Sequence, residues 1–165
     1  MRTFALLFLA TLCLSSAAVT VVAHEPAGPV STGAETLDEA AHPAAGVVDA
    51  FHAALKRGET GTALSLLAQD ALVFEAGGAE RSKTEYAASH LAADAAFSAA
   101  VTTIVTRRLG RSAGILAWIA TESKTTGRYR DREVDSVGTE TMILRRDRAG
   151  WHIVHIHWSS ARATP

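Results

Sequence analysis

The chain has 165 residues and a formal net charge of −1, with 48% hydrophobic and 20% charged residues. These values predict one globular domain with a hydrophobic core, and they argue against a disordered chain or a bundle of membrane helices. The chain has no basic excess that would favour binding to nucleic acid.

Residues 1–23 have the composition of a secretory signal peptide. Met1-Arg2 is a short basic start, residues 4–14 are an apolar run, and small residues lead to a cleavage site after Ala23. The run is shorter than the roughly 20 residues of a bilayer span, so we expect cleavage rather than an anchor helix. We therefore predict an exported protein, periplasmic or secreted, with no membrane attachment. Its single cysteine, Cys13, would be removed, which excludes disulfide chemistry.

Residues 24–43 are predicted to form a flexible leader, because they contain three of the four prolines and no apolar period. The folded domain is expected over residues 44–162. Its first helix has a stripe of apolar residues around Phe51 and ends at Gly58, a typical C-terminal cap. A shorter second helix is predicted over residues 62–68.

A short strand (71–75) and a turn at Gly77-Gly78 precede a third helix. Ser82 and Glu85 have the spacing of a capping box, which predicts that this helix begins there and continues to about residue 96. One face of the helix should carry four residues at steps of three and four: Tyr86, His90, Asp94 and Phe97.

The remaining chain is rich in β-branched residues and predicts four long strands in a meander. The predicted strands cover residues 100–109, 114–126, 136–146 and 150–160. Two early helices, a strand, a third helix and four strands predict an α+β fold. In this fold the helices pack on one face of a bent antiparallel sheet.

The last strand has a different chemistry on each face. His155 and His157 share one face, while Val154, Ile156 and Trp158 share the other. Burial favours the more apolar set, so we expect Ile156 and Trp158 to face the helices. The opposite arrangement, with the histidines in a polar pocket, stays open.

Two segments resemble a known family. They are Glu-Thr-Met-Ile-Leu-Arg-Arg-Asp at 140–147 and Gly-Trp-His-Ile-Val-His-Ile-His-Trp-Ser-Ser at 150–160. With the element order, they resemble the SnoaL-like branch of the nuclear-transport-factor-2-like superfamily. The last strand is also similar to that of the calcium/calmodulin-dependent kinase association domain. The resemblance implies a cone, in which a curved sheet surrounds the third helix and leaves one open pocket, and it implies a homodimer. It leaves the activity open, because this fold serves isomerases, cyclases, dehydratases and assembly domains.

Four residues are candidates for acid–base catalysis. His90 and Asp94 lie four residues apart on the third helix, so the carboxylate could fix the imidazole tautomer and leave a base near neutral pH. Glu122 and Glu140 lie in strands, as does Glu75, and a carboxylate in an apolar cavity has a raised pKa that suits proton transfer. The alternative for His90 and Asp94 is a solvated pair at the rim of the cone. The alternative for the glutamates is a salt bridge to an arginine on a neighbouring strand.

The same faces provide candidate ligand contacts. The residues expected to line the pocket are Tyr86, Trp118, Met142, Ile156 and Trp158. His155 and His157 could bind a metal if a third ligand approached, for example His90. No established metal-binding motif accompanies them, so we expect neither a metal nor a cofactor.

Three functions are compatible with these features. The first is an exported, dimeric protein whose pocket holds a small apolar or aromatic molecule without necessarily catalysing a reaction. The second is an isomerase, dehydratase or cyclase with a pocket histidine or glutamate as general base. The third is a domain that serves only dimerisation or assembly.

Overall fold

A computed structural model describes residues 34–164 of the chain. The predicted signal peptide and residues 24–33 of the predicted leader lie outside this range. The described elements, in chain order, are β1 (Ala34–Leu37), a 3₁₀ helix (Glu39–Ala41), α1 (His42–Lys56), α2 (Thr60–Ser65), β2 (Leu67–Glu75), β3 (Gly78–Glu80), α3 (Lys83–Ser89), α4 (Leu91–Ala100), β4 (Val101–Ala113), β5 (Leu116–Tyr129), β6 (Arg132–Asp147) and β7 (Gly150–Arg162).

The seven described strands form one sheet in the order β1-β4-β5-β6-β7-β2-β3. Strands β4 to β7 are an antiparallel meander, whereas β1 joins β4 and β2 joins β7 in parallel. The sheet is curved and does not close on itself, and helix α1 packs against β5 and β7. The predicted α+β class and the curved, mainly antiparallel sheet are therefore confirmed.

The core lies between the helices and the inner face of the sheet, which we define as the face carrying Ile119, Met142 and Ile156. These three residues are cross-strand neighbours on β5, β6 and β7, and all are fully buried. Phe51 of α1 is also fully buried. The apolar stripe predicted for the first helix thus covers the apolar part of the inner face.

Strand β7 contains a bulge that changes which residues face inward. Leu144 pairs with Ile153 and Ile143 pairs with His155, so Val154 is an extra residue on β7. Ile153 and Ile156 are both fully buried, and Val154 is only half-buried. The expectation for Ile156 agrees with this arrangement, whereas strict alternation assigned the inward place to Val154 in error.

The predicted third helix is two helices, because the chain bends at His90 between α3 and α4. Ser82 caps α3 as predicted, since its Oγ accepts a hydrogen bond from the Glu85 amide at 3.1 Å. The Glu85 carboxylate accepts from the Arg81 amide rather than from the Ser82 amide. The bend is held from outside the helix by a contact between His90 Nδ1 and Glu80 Oε1.

Residues 34–43 of the predicted leader have regular structure, contrary to the expectation from their composition. Strand β1 extends the sheet, and Pro43 lies in the first turn of α1, where a proline is well tolerated. Leu37 packs over Gly110 of β4, where an added Cβ would lie 2.7 Å from Leu37 Cδ2. The missing side chain at Gly110 thus makes room for β1.

Two further boundaries differ from the predicted ones. Helix α2 ends at Ser65, and Leu67 already belongs to β2. The charged connection predicted for residues 127–135 is mostly strand, because β5 and β6 meet in a tight turn at Arg130 and Asp131, both with positive φ. Among the helices of residues 34–164, none has the length and apolarity that a bilayer crossing requires.

Candidate functional site

A row of polar residues crosses the inner face of the sheet beside the apolar core. Arg108, Thr121, Glu140 and Trp158 are successive cross-strand neighbours on β4, β5, β6 and β7. Glu75 at the end of β2 continues the row as the next neighbour of Trp158. Cross-strand neighbours point to the same face, so these five residues, which we call the polar row, all face the helices.

Glu140 is the most heavily hydrogen-bonded carboxylate of the polar row. Its Oε2 accepts a 2.6 Å hydrogen bond from Trp158 Nε1 and lies 2.8 Å from His52 Nε2. Burial acts to raise the pKa of Glu140, but these hydrogen bonds and the charges of His52 and Arg108 lower it overall. Glu140 is therefore ionised at neutral pH, although it is only 9% exposed.

His52 of α1 completes this pair from the helix side. Burial acts to lower the pKa of His52, but the hydrogen bond to Glu140 and the Glu140 charge raise it overall. The side chain of His52 is 43% exposed, whereas that of Glu140 is 10% exposed. The imidazole thus reaches from a buried carboxylate toward solvent, as a residue that exchanges protons must.

Three buried polar atoms of the polar row have no hydrogen-bond partner within residues 34–164: Arg108 Nε, Thr121 Oγ1 and Glu140 Oε1. Arg108 uses another nitrogen, Nη1, to donate a 2.8 Å hydrogen bond to Asp49 Oδ1 on α1. Buried polar atoms in proteins normally have partners, so three without one on adjacent strands make this the most polar part of the buried inner face.

Tyr86 and Asp94 form a second pair at the other side of Trp158. Tyr86 Oη donates a 2.8 Å hydrogen bond to Asp94 Oδ2, and the Tyr86 ring lies 6.4 Å from the Trp158 ring. Burial raises the pKa of Asp94, and the hydrogen bond from Tyr86 offsets this only in part. Burial and the Asp94 charge raise the pKa of Tyr86, so its hydroxyl stays protonated.

His90 does not pair with Asp94, contrary to the prediction. The bend between α3 and α4 directs His90 Nδ1 to Glu80 of β3, which is 6% exposed and also accepts a hydrogen bond from Ser89 Oγ. The hydrogen bond to Glu80 raises the pKa of His90. Because Glu80 lies on a strand that sequence spacing does not connect to the helix, the sequence could not reveal this partner.

Glu75 lies close to the Tyr86–Asp94 pair and to the Glu80–His90 pair. Partial burial raises the pKa of Glu75, and so do the carboxylates of Asp94 and Glu80, while His90 acts in the opposite direction. Glu75 also lines an open recess of about 240 Å³ at the ends of β2 and β7. The other lining residues are Ala76, Gly77, His157, Trp158, Ser159 and Ser160.

Most of the predicted site residues meet on the inner face, grouped around Trp158. Glu140 and Trp158 belong to the polar row, Met142 and Ile156 form the buried floor beside it, and Tyr86 packs against Trp158. Asp94 joins them through its hydrogen bond with Tyr86. Trp158 is also stacked on Phe51, with ring centroids 6.4 Å apart.

Glu122, predicted as a catalytic residue, and Trp118, predicted as a ligand-binding residue, lie outside this group. Both lie on the outer face of β5, because the alternation that turns Ile119 and Thr121 inward turns them outward. Trp118 is 38% exposed. The sequence could not show which face of β5 carries Glu122 and Trp118, because this depends on how the strand pairs with its neighbours.

His155 and His157 also lie on the outer face, where both contact Phe74 edge-on. Their ring centroids are 6.4 Å apart. Burial lowers the pKa of His155, and the neighbouring His157 acts in the same direction. Within residues 34–164 there is no group of three or more histidine, cysteine, aspartate or glutamate side chains that could hold a metal ion.

Sequence analysis did not identify three residues of the polar site: His52, Arg108 and Thr121. His52 follows buried Val48 by four residues on α1, so helical spacing could have placed it at the edge of the buried stripe. Arg108 had no comparable signal. A register shift between Val105 and Arg107 turns it inward, and such an irregularity is not visible in the sequence.

The fold and the cone-shaped arrangement of helices and sheet define a nuclear-transport-factor-2-like protein. The family model described as a SnoaL-like domain matches residues 45–163. The chain therefore belongs to the SnoaL-like family, and the resemblance seen in its last two strands is confirmed.

Several solved structures share this fold. A proposed ketosteroid isomerase from Shewanella frigidimarina is 34% identical, with a TM-score of 0.71 over 75% of this chain and 100% of that one. A proposed calcium/calmodulin-dependent protein kinase II association domain from Xanthomonas campestris is 18% identical, with a TM-score of 0.66 over 84% and 100%. A proposed dehydratase of the NTF2-like family from Streptomyces avermitilis is 17% identical, with a TM-score of 0.61 over 74% and 96%. No curated protein matches this chain.

Proposed function

We propose that this protein binds a small, partly apolar carbonyl compound against Trp158 and transfers a proton next to the carbonyl group. Glu75 would act as the base, and the His52–Glu140 pair would stabilise the negative charge that develops on the carbonyl oxygen. One observation carries the proposal: Glu75 and Glu140 are the two cross-strand neighbours of Trp158. Their Cα atoms are thus about 10 Å apart, two strand spacings, so a small substrate lying against the Trp158 ring would have one carboxylate on each side.

Proton transfer of this kind needs a base on one side of the substrate and a hydrogen-bond donor on the other, and the two sides of Trp158 provide them. The raised pKa of Glu75 makes its carboxylate a stronger base than an ordinary glutamate. Glu140 holds His52 through Nε2, so the Nδ1 nitrogen of a protonated His52 is available as a donor to an enolate oxygen. The C–H bond breaks, its proton moves to Glu75, and the electron pair is delocalised onto the oxygen that faces His52.

The names of similar structures support this choice of reaction class. The protein from Shewanella frigidimarina is a proposed ketosteroid isomerase, and that from Streptomyces avermitilis is a proposed dehydratase. Isomerisation of a β,γ-unsaturated ketone begins with proton removal beside the carbonyl group, and elimination of water from a β-hydroxy ketone can begin in the same way. Return of the proton to another carbon would complete an isomerisation, and loss of a hydroxyl group would complete a dehydration.

The test is the conversion of the β,γ-unsaturated isomer of cyclohexenone into its conjugated isomer, followed by ultraviolet absorbance. Glu75→Gln should lower kcat about 10²–10⁴-fold, since a positioned general base contributes that much. Glu122→Gln is the matched control, because it removes a carboxylate from the outer face and should leave turnover unchanged. A Glu75→Gln variant as active as the wild type would refute the proposal.

We also propose that the protein is exported, on the composition of residues 1–23. Mass spectrometry of the protein from the periplasmic or secreted fraction of its host should find an N-terminus at His24. An intact Met1 in that fraction would contradict cleavage after Ala23, and retention of the protein in the cytoplasm would contradict export.

A second function, assembly as a homodimer, is favoured by the outer face of the sheet. This face exposes six large apolar side chains, which we call the outer patch: Leu72, Phe74, Ile104, Leu116, Trp118 and Val137. Their exposed fractions range from 37% for Phe74 to 58% for Ile104. Large exposed apolar side chains on one face of a sheet are typical of protein interfaces. We propose that a second copy of the chain covers it.

Analytical ultracentrifugation of Trp118→Arg tests this assembly. The wild type should sediment as a dimer and the variant as a monomer, because the introduced charge would be buried in the contact without a partner. Ile115→Arg is the matched control. Ile115 is 59% exposed in the turn between β4 and β5, outside the patch, so its variant should remain dimeric. A monomeric wild type would contradict the proposal.

A further inference from the structure

The two histidines of β7 lie between the two sides of the outer patch. Trp118 is on β5 and Phe74 is on β2, and β6 and β7 lie between those strands in the sheet. On the outer face of β7, His155 is the cross-strand neighbour of Leu72, and His157 is the cross-strand neighbour of Phe74. A second copy that covers both Trp118 and Phe74 must therefore also cover His155 and His157.

The surface next to His157 is hollow. Thr141, the cross-strand neighbour of His157 on β6, lines an open cavity of about 140 Å³. Ala120, the neighbour of Thr141 on β5, lines the same cavity with its short side chain. A side chain of the second copy has room in this cavity, so the contact would extend from β5 across the histidines to β2.

Within residues 34–164, no unpaired carboxylate faces the two imidazoles from the adjoining strands. The residues directly beside them on β6 and β2 are Ile143, Thr141, Leu72 and Phe74. The charged residues next along these strands, Arg145 and Asp70, bind each other through two hydrogen bonds of 2.9 and 3.2 Å. On β7 itself, His152 is the next titratable side chain, and it lies 3.6 Å from Asp147. A protonated imidazole here would thus have no negative partner in the described part of its own chain.

Protonation of these histidines is already disfavoured before any second copy binds. Burial lowers the pKa of His155, and the neighbouring His157 acts in the same direction. The two ring centroids are 6.4 Å apart, so a charge on one imidazole disfavours a charge on the other. Cover by a second copy would remove the remaining water. A charged group without a partner is costly to bury, whereas a neutral imidazole needs only hydrogen bonds.

We infer that the contact between two copies holds His155 and His157 in their neutral form, so that acidification separates the dimer. This inference rests on the proposed assembly, because it concerns the same face of the sheet. Below the ordinary histidine pKa of about 6.5, the free chain binds more protons than the dimer. The affinity between the copies is therefore complete above this pH and falls as the pH falls below it.

Sedimentation equilibrium of the wild type at about pH 7.5 and about pH 5.5, on either side of the histidine pKa, tests the inference. The Kd should rise about 10²-fold on acidification, the value for one proton released by each copy. Circular dichroism at both pH values checks that the chain stays folded. A dimer whose Kd is unchanged, or lower in acid, would overturn this inference and leave the proposed assembly intact. A wild type that is monomeric at the higher pH would refute the assembly, and this inference with it.

Two variants assign the pH response to these histidines. The double variant His155→Asn with His157→Asn cannot be protonated there, so its Kd should change less than about threefold between the two pH values. His157→Lys carries a permanent charge and should be monomeric already at the higher pH. His42→Asn is the matched control and should keep the full response, since His42 is exposed at the start of α1. A double variant with the wild-type response, or a dimeric His157→Lys, would overturn the inference.

Discussion

His52 Nε2 on the first helix lies 2.8 Å from Glu140 Oε2 on the sixth strand. The pair connects the two layers of the domain at the edge of the core, where the apolar floor changes to the polar row. Because Trp158 Nε1 donates to the same carboxylate oxygen, the position of Glu140 is defined from both the helix and the adjacent strand. Removal of His52, Glu140 or Trp158 should therefore change the free energy of unfolding measurably.

The first prediction concerns the pH dependence of stability. The folded-state pKa of Glu140 is below its ordinary value of 4.5, so its contribution is present above pH 4.5 and is lost as pH falls through the lowered pKa. The folded-state pKa of His52 is above its ordinary value of 6.5, so its contribution is complete below pH 6.5 and is lost as pH rises through the raised pKa. The His52–Glu140 pair therefore stabilises the fold most between pH 4.5 and pH 6.5.

Thermal unfolding across this pH range is the measurement. Glu140→Gln should lower the free energy of unfolding by about 1–2 kcal/mol near pH 6 and flatten the profile, because it removes a charge-assisted hydrogen bond whose other partner is partly solvated. Glu122→Gln on the outer face should leave the profile unchanged. A profile of Glu140→Gln parallel to that of the wild type would show that the pair is not ionised.

The second prediction concerns Glu80 and His90, which together hold the bend between α3 and α4. Glu80→Ala should cost about 1–3 kcal/mol of stability, because it removes the buried acceptor of His90 and leaves Ser89 with only the Glu85 carbonyl. His90→Ala should cost less, since the His90 side chain is 50% exposed. Chemical denaturation of both variants checks this order. A larger loss for His90→Ala would contradict the role given to Glu80.

The third prediction is an energetic coupling between Tyr86 and Asp94. Tyr86→Phe removes the only hydrogen bond in the described chain that lowers the pKa of Asp94, so the carboxyl group should protonate at a still higher pH. A double-mutant cycle of Tyr86→Phe with Asp94→Asn should give an interaction energy of at least about 0.5 kcal/mol. Tyr129→Phe combined with Asp94→Asn is the control and should be additive, since Tyr129 packs against Phe97 instead.

The fourth prediction compares two glycines, one in a crowded place and one with free space around it. At Gly110 an added Cβ would lie 2.6 Å from Ile119 Cδ1 and 2.7 Å from Leu37 Cδ2, so Gly110→Ala should cost about 1–3 kcal/mol and loosen β1. At Gly46, within α1, an added Cβ would meet nothing within 4 Å. Gly46→Ala should therefore stabilise the protein by about 0.5–1 kcal/mol.

Thermal unfolding and limited proteolysis would distinguish the two glycine variants. Gly110→Ala should be cleaved sooner between β1 and α1, whereas Gly46→Ala should resist cleavage at least as well as the wild type. Equal melting temperatures of the two variants would show that the close approach of Leu37 to Gly110 does not secure β1.

Most of the architecture could be predicted from local patterns. The stripe around Phe51 and the cap at Gly58 located the first helix, and Ser82 marked the start of the third, because these signals depend on neighbours within one or two turns. The break at His90 was missed since its cause, Glu80, belongs to another element. The ordered residues 34–37 were missed because a strand at the sheet edge is defined by its partner, β4, and not by its own composition.

The sequence by itself determined the α+β class, the family and the apolar floor around Met142 and Ile156, because periodicity and burial of apolar surface act residue by residue. Only the tertiary structure decided which carboxylates share the site. Face assignment on a strand inverts with a single bulge, so the inward turn of Arg108 and the outward position of Glu122 depend on register. The pairing of His52 with Glu140 likewise exists only because α1 packs across the curved sheet, bringing together residues that the chain keeps far apart.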